Sequence, residues 1–348
     1  MVAALTIVIR ELFTTHVLKG FHSGTANCLI SLLERRSSSY VLARYVIKDW
    51  RVLAEVDGYL QFLGEGDGLR FADTPLGPNM CPGVKHLKVL SRAPDLWMVR
   101  VGYDGCSAEL PPGKPFCPKH FNTSYGRYLR FIYGGGRPDP SNEFFNMPTL
   151  VYTVYYGGDI LKVGTSLIVK GLRRLLEQPT YLASTVFITK DITEARSIER
   201  WLSMESKIRE APRTEYRVRS VLSSLKRGSE GLEEDLRRFT CLLIKNLLTS
   251  LRRVAPLTSG DRVVSTIRGF IERGVVYILD MYSPSDEALL KSWVTYSADT
   301  VNKALKGLEC YLAGLARGFL VLNCSDGGTY AIPYELVHDR SLNASLTR

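Results

Sequence analysis

Stretches rich in β-branched and aromatic residues dominate the N-terminal part of the chain. Residues 40–47 and 52–62 have this composition, and an Asp-Gly pair at 57–58 breaks the second stretch with a typical turn sequence. Residues 26–35 fit a short helix and a strand equally well, so their type stays open. We therefore predict a mostly β region over residues 1–75.

The pattern changes over residues 146–208, where strand-like runs alternate with helical ones. The predicted elements are two strands at 149–156 and 160–164 joined by a Gly-Gly-Asp turn, a short helix at 171–178, a third strand at 185–189 and a helix ending near 207. Asp191 and Glu194 have the spacing of a capping box, which marks the start of the last helix. The pattern predicts a small α/β domain.

Residues 209–348 combine a basic helical tract with further strands. Apolar residues recur at helical spacing in the tract, which predicts a helix with one face in the core. These residues are Leu232, Leu236, Phe239, Leu243 and Leu247. Farther on, the composition predicts extended segments at 263–270 and 275–281, a helix at 287–306, and a hairpin with strands at 319–323 and 330–336.

Residues 76–145 differ from the rest by their density of Gly and Pro. Clusters at 77–78, 111–113 and 134–138 predict that no long regular element forms there. Such a stretch needs a source of stability other than a large hydrophobic core. We predict a multidomain α+β fold with four parts: a mostly β region at 1–75, a zinc-stabilised module at 76–145, a small α/β domain at 146–208, and a mixed helical and β region at 209–348.

The charge balance points to a polyanionic partner. The chain has 348 residues, a formal net charge of +10 and a pI near 9.2. Nucleic acid is the most common partner of such a protein, and a merely soluble basic protein is the open alternative. The apolar stretch 1–9 ends at Arg10 and Glu11, which argues against a signal peptide. No uncharged run approaches the roughly 18 residues of a membrane span, so we expect a soluble, cytoplasmic protein.

The seven cysteines do not suggest a disulfide framework in such a chain. Cys28, Cys241, Cys310 and Cys324 lie in apolar or strand-like surroundings. We predict that these four are small buried hydrophobic residues.

The other three cysteines lie in the Gly/Pro-rich stretch, where His120 completes a Cys-x-x-His step. Thiolates and an imidazole between turns suit a tetrahedral structural zinc ion, which would also stabilise a region with little core. We predict the ligands Cys81, Cys106, Cys117 and His120, with His86 as a reserve. Three unrelated thiols and a surface histidine are the open alternative.

A second candidate site lies in the α/β domain. Strand residues 150–152 (Leu-Val-Tyr) and 162–165 (Lys-Val-Gly-Thr), separated by nine residues, resemble the paired strands that name the GIY-YIG nuclease superfamily. In that superfamily a helix arginine and a later helix glutamate follow, as Arg174 and Glu199 do here. Glu199 shares an otherwise apolar helix stripe, so it needs a partner, and Arg174 is a candidate.

The chain is also similar to an uncharacterised archaeal and bacterial family that combines a cysteine cluster, a Cys-x-x-His step and a GIY-YIG-like domain. The shared sequence motifs are Val-Tyr at 151–152, Lys-Val-Gly at 162–164, Arg-x-x-x-Gln at 174–178 and Ile-Glu at 198–199. The resemblance covers about residues 81–202 and extends weakly to the strands around 318–334.

This resemblance implies a phosphodiesterase site. Glu199 would hold a divalent cation such as Mg²⁺, Arg174 would face a scissile phosphate, and Tyr152 would polarise the attacking water. Lys162 stands in place of the second signature tyrosine; a lysine can contact phosphate but is a poor general base at neutral pH. The open alternative is an ordinary strand tyrosine beside a structural Arg174–Glu199 ion pair.

Three functions are consistent with these expectations. The first is a zinc-containing protein that binds and cuts DNA or RNA with Mg²⁺, and the second is a non-catalytic RNA- or ribosome-binding protein that reuses the fold. The third is an assembly factor whose zinc region docks protein partners. In the first two, basic side chains would grip the nucleic-acid backbone. The predicted set is Arg173, Arg213, Arg217, Arg219, Lys226 and Arg227, with Arg237 and Arg238 in the same tract.

Overall fold

The computed structural model shows one mixed β-sheet with thirteen strands among the residues that it describes. The structure describes residues 5–26, 38–93, 96–170, 173–206, 208, 212–254, 273–280 and 286–347. Helices pack against this sheet, so the predicted α+β class is confirmed. No helix in this described part of the chain is both long and apolar enough to cross a lipid bilayer.

The N-terminal region is mostly β, as predicted, and its strands are long and antiparallel. β1 (Leu5–Ala26) pairs with β2 (Ser38–Val56), and β3 (Tyr59–Leu63) folds back on β2 through Asp57 and Gly58. Both turn residues have a positive φ, 48° and 85°, which Asp and Gly tolerate better than most residues. β4 (Gly68–Asn79) follows. Residues 27–35, part of the segment of open type, lie outside the described residues.

Residues 76–145 contain more regular structure than predicted. β5 (Val84–Ala93) and β6 (Leu96–Asp104) form a separate two-stranded sheet, and two helices follow, α1 (Pro118–Phe121) and α2 (Ser124–Ile132). The prediction that no long element forms there is wrong because the Gly and Pro clusters flank the hairpin instead of interrupting it. β5 itself contains neither residue type.

The predicted α/β elements are present. In chain order they are β7 (Thr149–Tyr155), β8 (Leu161–Leu167), α3 (Arg173–Leu176), β9 (Leu182–Thr189) and α4 (Ile192–Ser206). β7 and β8 form the predicted hairpin, and β9 pairs with the other edge of β7. The Asp191 carboxylate accepts a hydrogen bond from the Glu194 backbone N–H at 2.8 Å, which caps the start of α4 as predicted.

The C-terminal region mixes helices and strands. Its elements are α5 (Thr214–Leu225), α6 (Gly228–Val254), β10 (Arg273–Asp280), α7 (Asp286–Lys291), β11 (Trp293–Val294), α8 (Ala298–Leu305), β12 (Glu309–Ala316), β13 (Phe319–Cys324), β14 (Thr329–Pro333), α9 (Tyr334–Val337) and β15 (Arg340–Thr347). The predicted hairpin is formed by β13 and β14. The single helix predicted at 287–306 is wrong, because Ser297 starts a new helix through a capping box with Thr300. Residues 263–270 lie outside the described part.

The apolar stripe of α6 packs into the core, as its periodicity predicts. Leu236, Phe239, Leu243 and Leu247 are buried. The Phe239 ring stacks on Tyr155 of β7, with the ring centroids 5.6 Å apart. This contact holds the basic helical tract against the α/β unit.

The strand order joins distant parts of the sequence. The sheet runs β11-β14-β13-β12-β4-β15-β1-β2-β10-β9-β7-β8, with β3 on β2. β15 lies between β4 and β1, and β10 connects β2 to β9 of the α/β unit. Hydrogen bonds therefore cross the boundaries predicted at 75 and 208, and the division into four domains stays a prediction.

A disulfide joins Cys310 and Cys324, which β12 and β13 place directly opposite each other. Both cysteines are buried, as predicted, but the expectation that they form no disulfide is wrong. Pairing of the two depends on the register of a hairpin, and composition around each cysteine carries no information about that register.

Candidate metal centre and GIY-YIG-like site

The four predicted zinc ligands come together. The ligand atoms of Cys81, Cys106, Cys117 and His120 all lie within 4.8 Å of one another. Three of these residues are buried and Cys106 is half-buried. The set is therefore confirmed as a cluster that could hold a metal ion such as zinc.

The distances between these atoms fit a tetrahedral zinc ion. The Cys106 and Cys117 sulfurs are 3.9 Å apart, and His120 Nδ1 lies 3.4 Å from the Cys81 sulfur and 3.6 Å from the Cys117 sulfur. Zinc bonds of about 2.3 Å to sulfur and about 2.0 Å to nitrogen, at tetrahedral angles, separate two sulfurs by about 3.8 Å and sulfur from nitrogen by about 3.5 Å. Four protein ligands complete this coordination, so the cluster fits a structural ion.

Short turns position the ligands. Cys81 follows β4 and Cys106 follows β6, and the Cys81 N–H donates to the Ala108 carbonyl at 2.8 Å, which joins the two ligand loops. Cys117 is the N-cap of α1, and His120 lies within that single helical turn. A proline at the first helical position favours this conformation. The Cys-x-x-His step thus folds locally into half of the cluster.

Burial sets the protonation of the ligands. It lowers the pKa of His120, which favours the neutral imidazole that metals bind. Burial also raises the pKa of Cys81 to about 12, against the opposing effect of backbone hydrogen bonds. A metal ion must therefore displace a proton from this thiol when it binds.

A buried arginine on the main sheet contacts both segments that carry the cysteines Cys81 and Cys106. The Arg10 side chain, fully buried on β1, donates to the Cys81 carbonyl at 2.8 Å and to the Cys106 carbonyl at 2.6 Å. It also forms ion pairs with Glu55 at 2.8 Å and Asp339 at 3.1 Å. One guanidinium thus ties β1, β2 and the residue before β15 to the metal cluster.

His86, the reserve ligand, lies outside the cluster. Its Nε2 is 2.7 Å from the Asp104 carboxylate, and both side chains are largely exposed. The four other ligands already complete a tetrahedral set. The structure therefore favours the first choice of ligands.

Two of the residues predicted from the GIY-YIG-like resemblance, Tyr152 and Lys162, meet at Gln178. Its amide nitrogen donates to the Tyr152 hydroxyl at 2.9 Å, and its carbonyl accepts from Lys162 Nζ at 2.7 Å and from the Tyr156 hydroxyl at 2.8 Å. Gly164 lies opposite Tyr152 on the paired strand, and a Cβ there would come within 2.6 Å of that hydroxyl. The glycine therefore leaves room for the tyrosine ring across the hairpin.

Arg174 and Glu199 have other ion-pair partners than the predicted one. Arg174 Nη1 lies 2.6 Å from Glu177 just after α3, and Glu199 pairs with Arg196 on α4. The candidate Arg174–Glu199 pair does not form, because each residue has a nearer partner three residues away. Glu199 and Tyr152 are 4% and 2% exposed, whereas 39% of the Arg174 side chain is exposed.

Lys162 is the cation of this group that lacks a carboxylate partner. Arg174, Arg196 and Arg217 each pair with a glutamate, whereas Lys162 Nζ contacts the neutral amide of Gln178. No ion pair joins it to any residue that the structure describes. Burial, reinforced by the positive charges of Arg174 and Arg217, lowers the pKa of Lys162 to about 7.

Most of the predicted nucleic-acid-binding residues take part in ion pairs. The pairs are Arg173–Glu11 at 2.7 Å, Arg217–Glu335 at 2.7 Å, Arg219–Glu215 at 2.6 Å, Arg227–Asp235 at 2.7 Å, Arg237–Glu234 at 2.7 Å and Arg238–Asp159 at 2.9 Å. Arg213 and Lys226 are exposed and have no ion pair within the described ranges. The tract therefore offers less uncompensated charge than its composition suggests.

Three residues that organise these sites are not predicted from the sequence to do so: Arg10, Glu55 and Gln178. The first two are charged positions in apolar strand sequences, which is the available signal for a buried ion pair. Gln178 belongs to the Arg-x-x-x-Gln motif, but its partners lie on β7 and β8 and only the fold reveals them. Gly105 is not predicted either. A Cβ at this position would come within 2.6 Å of the Glu55 carboxylate, so the glycine leaves room for that side chain.

Comparisons of the chain with protein-family models, curated proteins and solved structures find no match. The GIY-YIG-like resemblance therefore stays a prediction that depends on the order and spacing of the residues alone. No family membership follows from it.

We predict that the purified protein contains about one zinc ion per chain and that Cys117→Ser loses it. The free energy of unfolding should fall by several kcal/mol, because metal binding contributes directly to folding in such sites. Metal analysis and thermal unfolding measure both effects. His86→Ala is the matched control and should keep the ion. A metal-free wild-type protein that is fully folded would contradict the assignment.

We expect Arg10→Met to lower the free energy of unfolding by about 3–5 kcal/mol, because Glu55 stays buried without its cation. The double variant Arg10→Met/Glu55→Gln should recover part of this loss, since it removes the uncompensated charge. Urea titration of the wild type, both single variants and the double variant gives the coupling between the two residues. Strictly additive losses would show that the pair does not act as a unit.

Proposed function

We propose that this protein binds the phosphate backbone of DNA or RNA through its GIY-YIG-like unit and does not cut it. The observation that carries the proposal is Lys162, a poorly solvated cation held by a neutral amide beside arginines that already have partners. A cation in such surroundings gains strongly from an anionic ligand. For a chain of net charge +10, a nucleic-acid phosphate is the anion of choice.

The protonation of Lys162 connects this residue to its ligand. With a pKa of about 7 it is only partly charged at neutral pH. Phosphate oxygens beside Nζ would favour the charged form and raise that pKa, because opposite charges attract strongly where water is scarce. Arg174, with 39% of its side chain exposed, offers a second donor to the same group.

The contacts of Glu199 and Tyr152 argue against Mg²⁺-dependent cleavage. Glu199, which would hold the ion, is 4% exposed and paired with Arg196. Mg²⁺ keeps several waters around it and needs space beside its carboxylate ligand, which this arrangement does not offer. The Tyr152 hydroxyl accepts a hydrogen bond from Gln178 within the core. Binding without cleavage therefore fits these residues better.

The zinc-stabilised module predicted at 76–145, called the zinc-binding region below, would support the phosphate site without contacting phosphate. Glu11 on β1 forms ion pairs with Lys85 on β5 at 3.1 Å and with Arg173 on α3 at 2.7 Å. One carboxylate thus links the zinc-binding region to the helix that carries Arg174. Zinc would keep this region folded and leave contact with phosphate to other side chains.

We expect the wild-type protein to bind short fluorescein-labelled DNA or RNA duplexes with an affinity that falls steeply as salt is added. Lys162→Met should lower that affinity about tenfold at roughly 0.1 M salt, as the loss of one phosphate contact would. Lys303→Met, which removes an exposed lysine from α8, is the control and should change little. Fluorescence anisotropy measures both.

Equal affinities of these two variants, or binding that salt does not weaken, would reject the proposed site. The same samples are incubated with DNA or RNA and Mg²⁺ to look for cleavage, and none is expected. Cleavage by the wild type that Glu199→Gln abolishes would replace the proposal with a phosphodiesterase.

The affinity for the duplex should also fall as pH rises from about 6 to about 8. Lys162 is charged below its pKa of about 7 and neutral above it, and the charged form is the one that binds phosphate. The charged groups that act on it are Arg174, Arg217, Glu335 and Glu199. Lys162→Arg stays charged over this range, so its binding should depend less on pH. Identical pH profiles for both proteins would contradict the role of this lysine.

A further inference from the structure

β5 and β6 form a two-stranded ribbon that is separate from the main sheet. Cys81 precedes β5 and Cys106 follows β6, so two of the four clustered ligands lie at the ends of the ribbon. The hydrogen bond from the Cys81 N–H to the Ala108 carbonyl closes the same base. A metal ion in the cluster would therefore anchor the ribbon to the body of the protein.

The two faces of the ribbon differ in character, because successive strand residues point to opposite sides. Leu87 and Val89 are partly buried and pack against the core. His86, Lys88 and Arg100 are exposed. We call the face formed by these three residues the outer face.

The outer face brings two cations directly opposite each other. Lys88 and Arg100 are partners in the antiparallel register, so their side chains are neighbours. Like charges in this position destabilise a sheet. Neither side chain forms an ion pair with a residue in the described ranges, and the nearby Asp104 carboxylate already contacts His86 at 2.7 Å. An external anion would remove this repulsion.

We propose that the outer face is a second contact with the nucleic-acid backbone, with a phosphate bound between Lys88 and Arg100. This inference rests on the proposed function, because it extends the surface that holds the same ligand. Charge complementarity identifies the occupant, and a two-stranded ribbon fits the major groove of a B-form DNA duplex, which is about 12 Å wide.

The test is a salt titration of duplex binding by the full chain. In K88Q/R100Q the slope of log affinity against log salt should become shallower by about 0.9, because one phosphate contact is lost. K303Q/K306Q removes the same charge from another exposed surface and should keep the wild-type slope. The melting temperature of K88Q/R100Q should equal or exceed that of the wild type, because a repulsive pair is gone. A loss of affinity would then not reflect unfolding.

The outcomes separate the two proposals. An unchanged slope in K88Q/R100Q, with wild-type binding intact and Lys162→Met weakened, overturns the ribbon contact and leaves the proposed function standing. Slopes reduced equally by both double variants indicate diffuse attraction and overturn the ribbon contact as well. Absence of any binding by the wild type overturns both proposals. Displacement of the duplex by polyglutamate as readily as by unlabelled duplex would overturn nucleic acid as the occupant.

Discussion

The buried guanidinium of Arg10 is the interaction on which the cluster of Cys81, Cys106, Cys117 and His120 depends. A charge sealed from water is tolerated only when its hydrogen-bonding capacity is used, and Arg10 uses it on Glu55, Asp339 and the carbonyls of Cys81 and Cys106. Those carbonyls belong to two of the four clustered ligands. The same side chain therefore restrains the segments that carry Cys81 and Cys106, the base of the ribbon, strands β1 and β2, and the residue before β15.

Single polar side chains join elements elsewhere in the same manner. Glu11 links β5 to α3, and Gln178 links both strands of the β7–β8 hairpin to the end of α3. Asp235 on α6 accepts hydrogen bonds from Tyr155, Tyr181 and Arg227. Each of these three hubs is buried. Lys162 contacts one of them, Gln178. The pKa of this lysine is lowered by burial and by neighbouring charges that the fold fixes in place.

The features that sequence predicts well are those that depend on local chemistry. The β7–β8 hairpin follows from two β-rich runs and a Gly-Gly-Asp turn, and the Cys/His cluster follows from residue types that suit a metal ion. Features that depend on register or on distant partners are missed. The Cys310–Cys324 bridge requires two strands to align, and Glu199 finds Arg196 because a helix neighbour is nearer than Arg174. The β5–β6 ribbon is missed as well. Residues 76–145 are rich in Gly and Pro overall, but the Gly and Pro clusters lie outside the ribbon.

The position of β15 between β4 and β1 has a consequence for how the chain is made. The register pairs Leu5 with Ala344, so strands from opposite ends of the numbering are neighbours. During translation β1 and β4 emerge long before the strand that separates them, and each then shows an open edge to other molecules in the cell. Pairing between such remote segments is slow, and exposed edges favour aggregation in the interval. Chaperone capture of the nascent chain is accordingly a greater need for this topology than for one built from sequential hairpins.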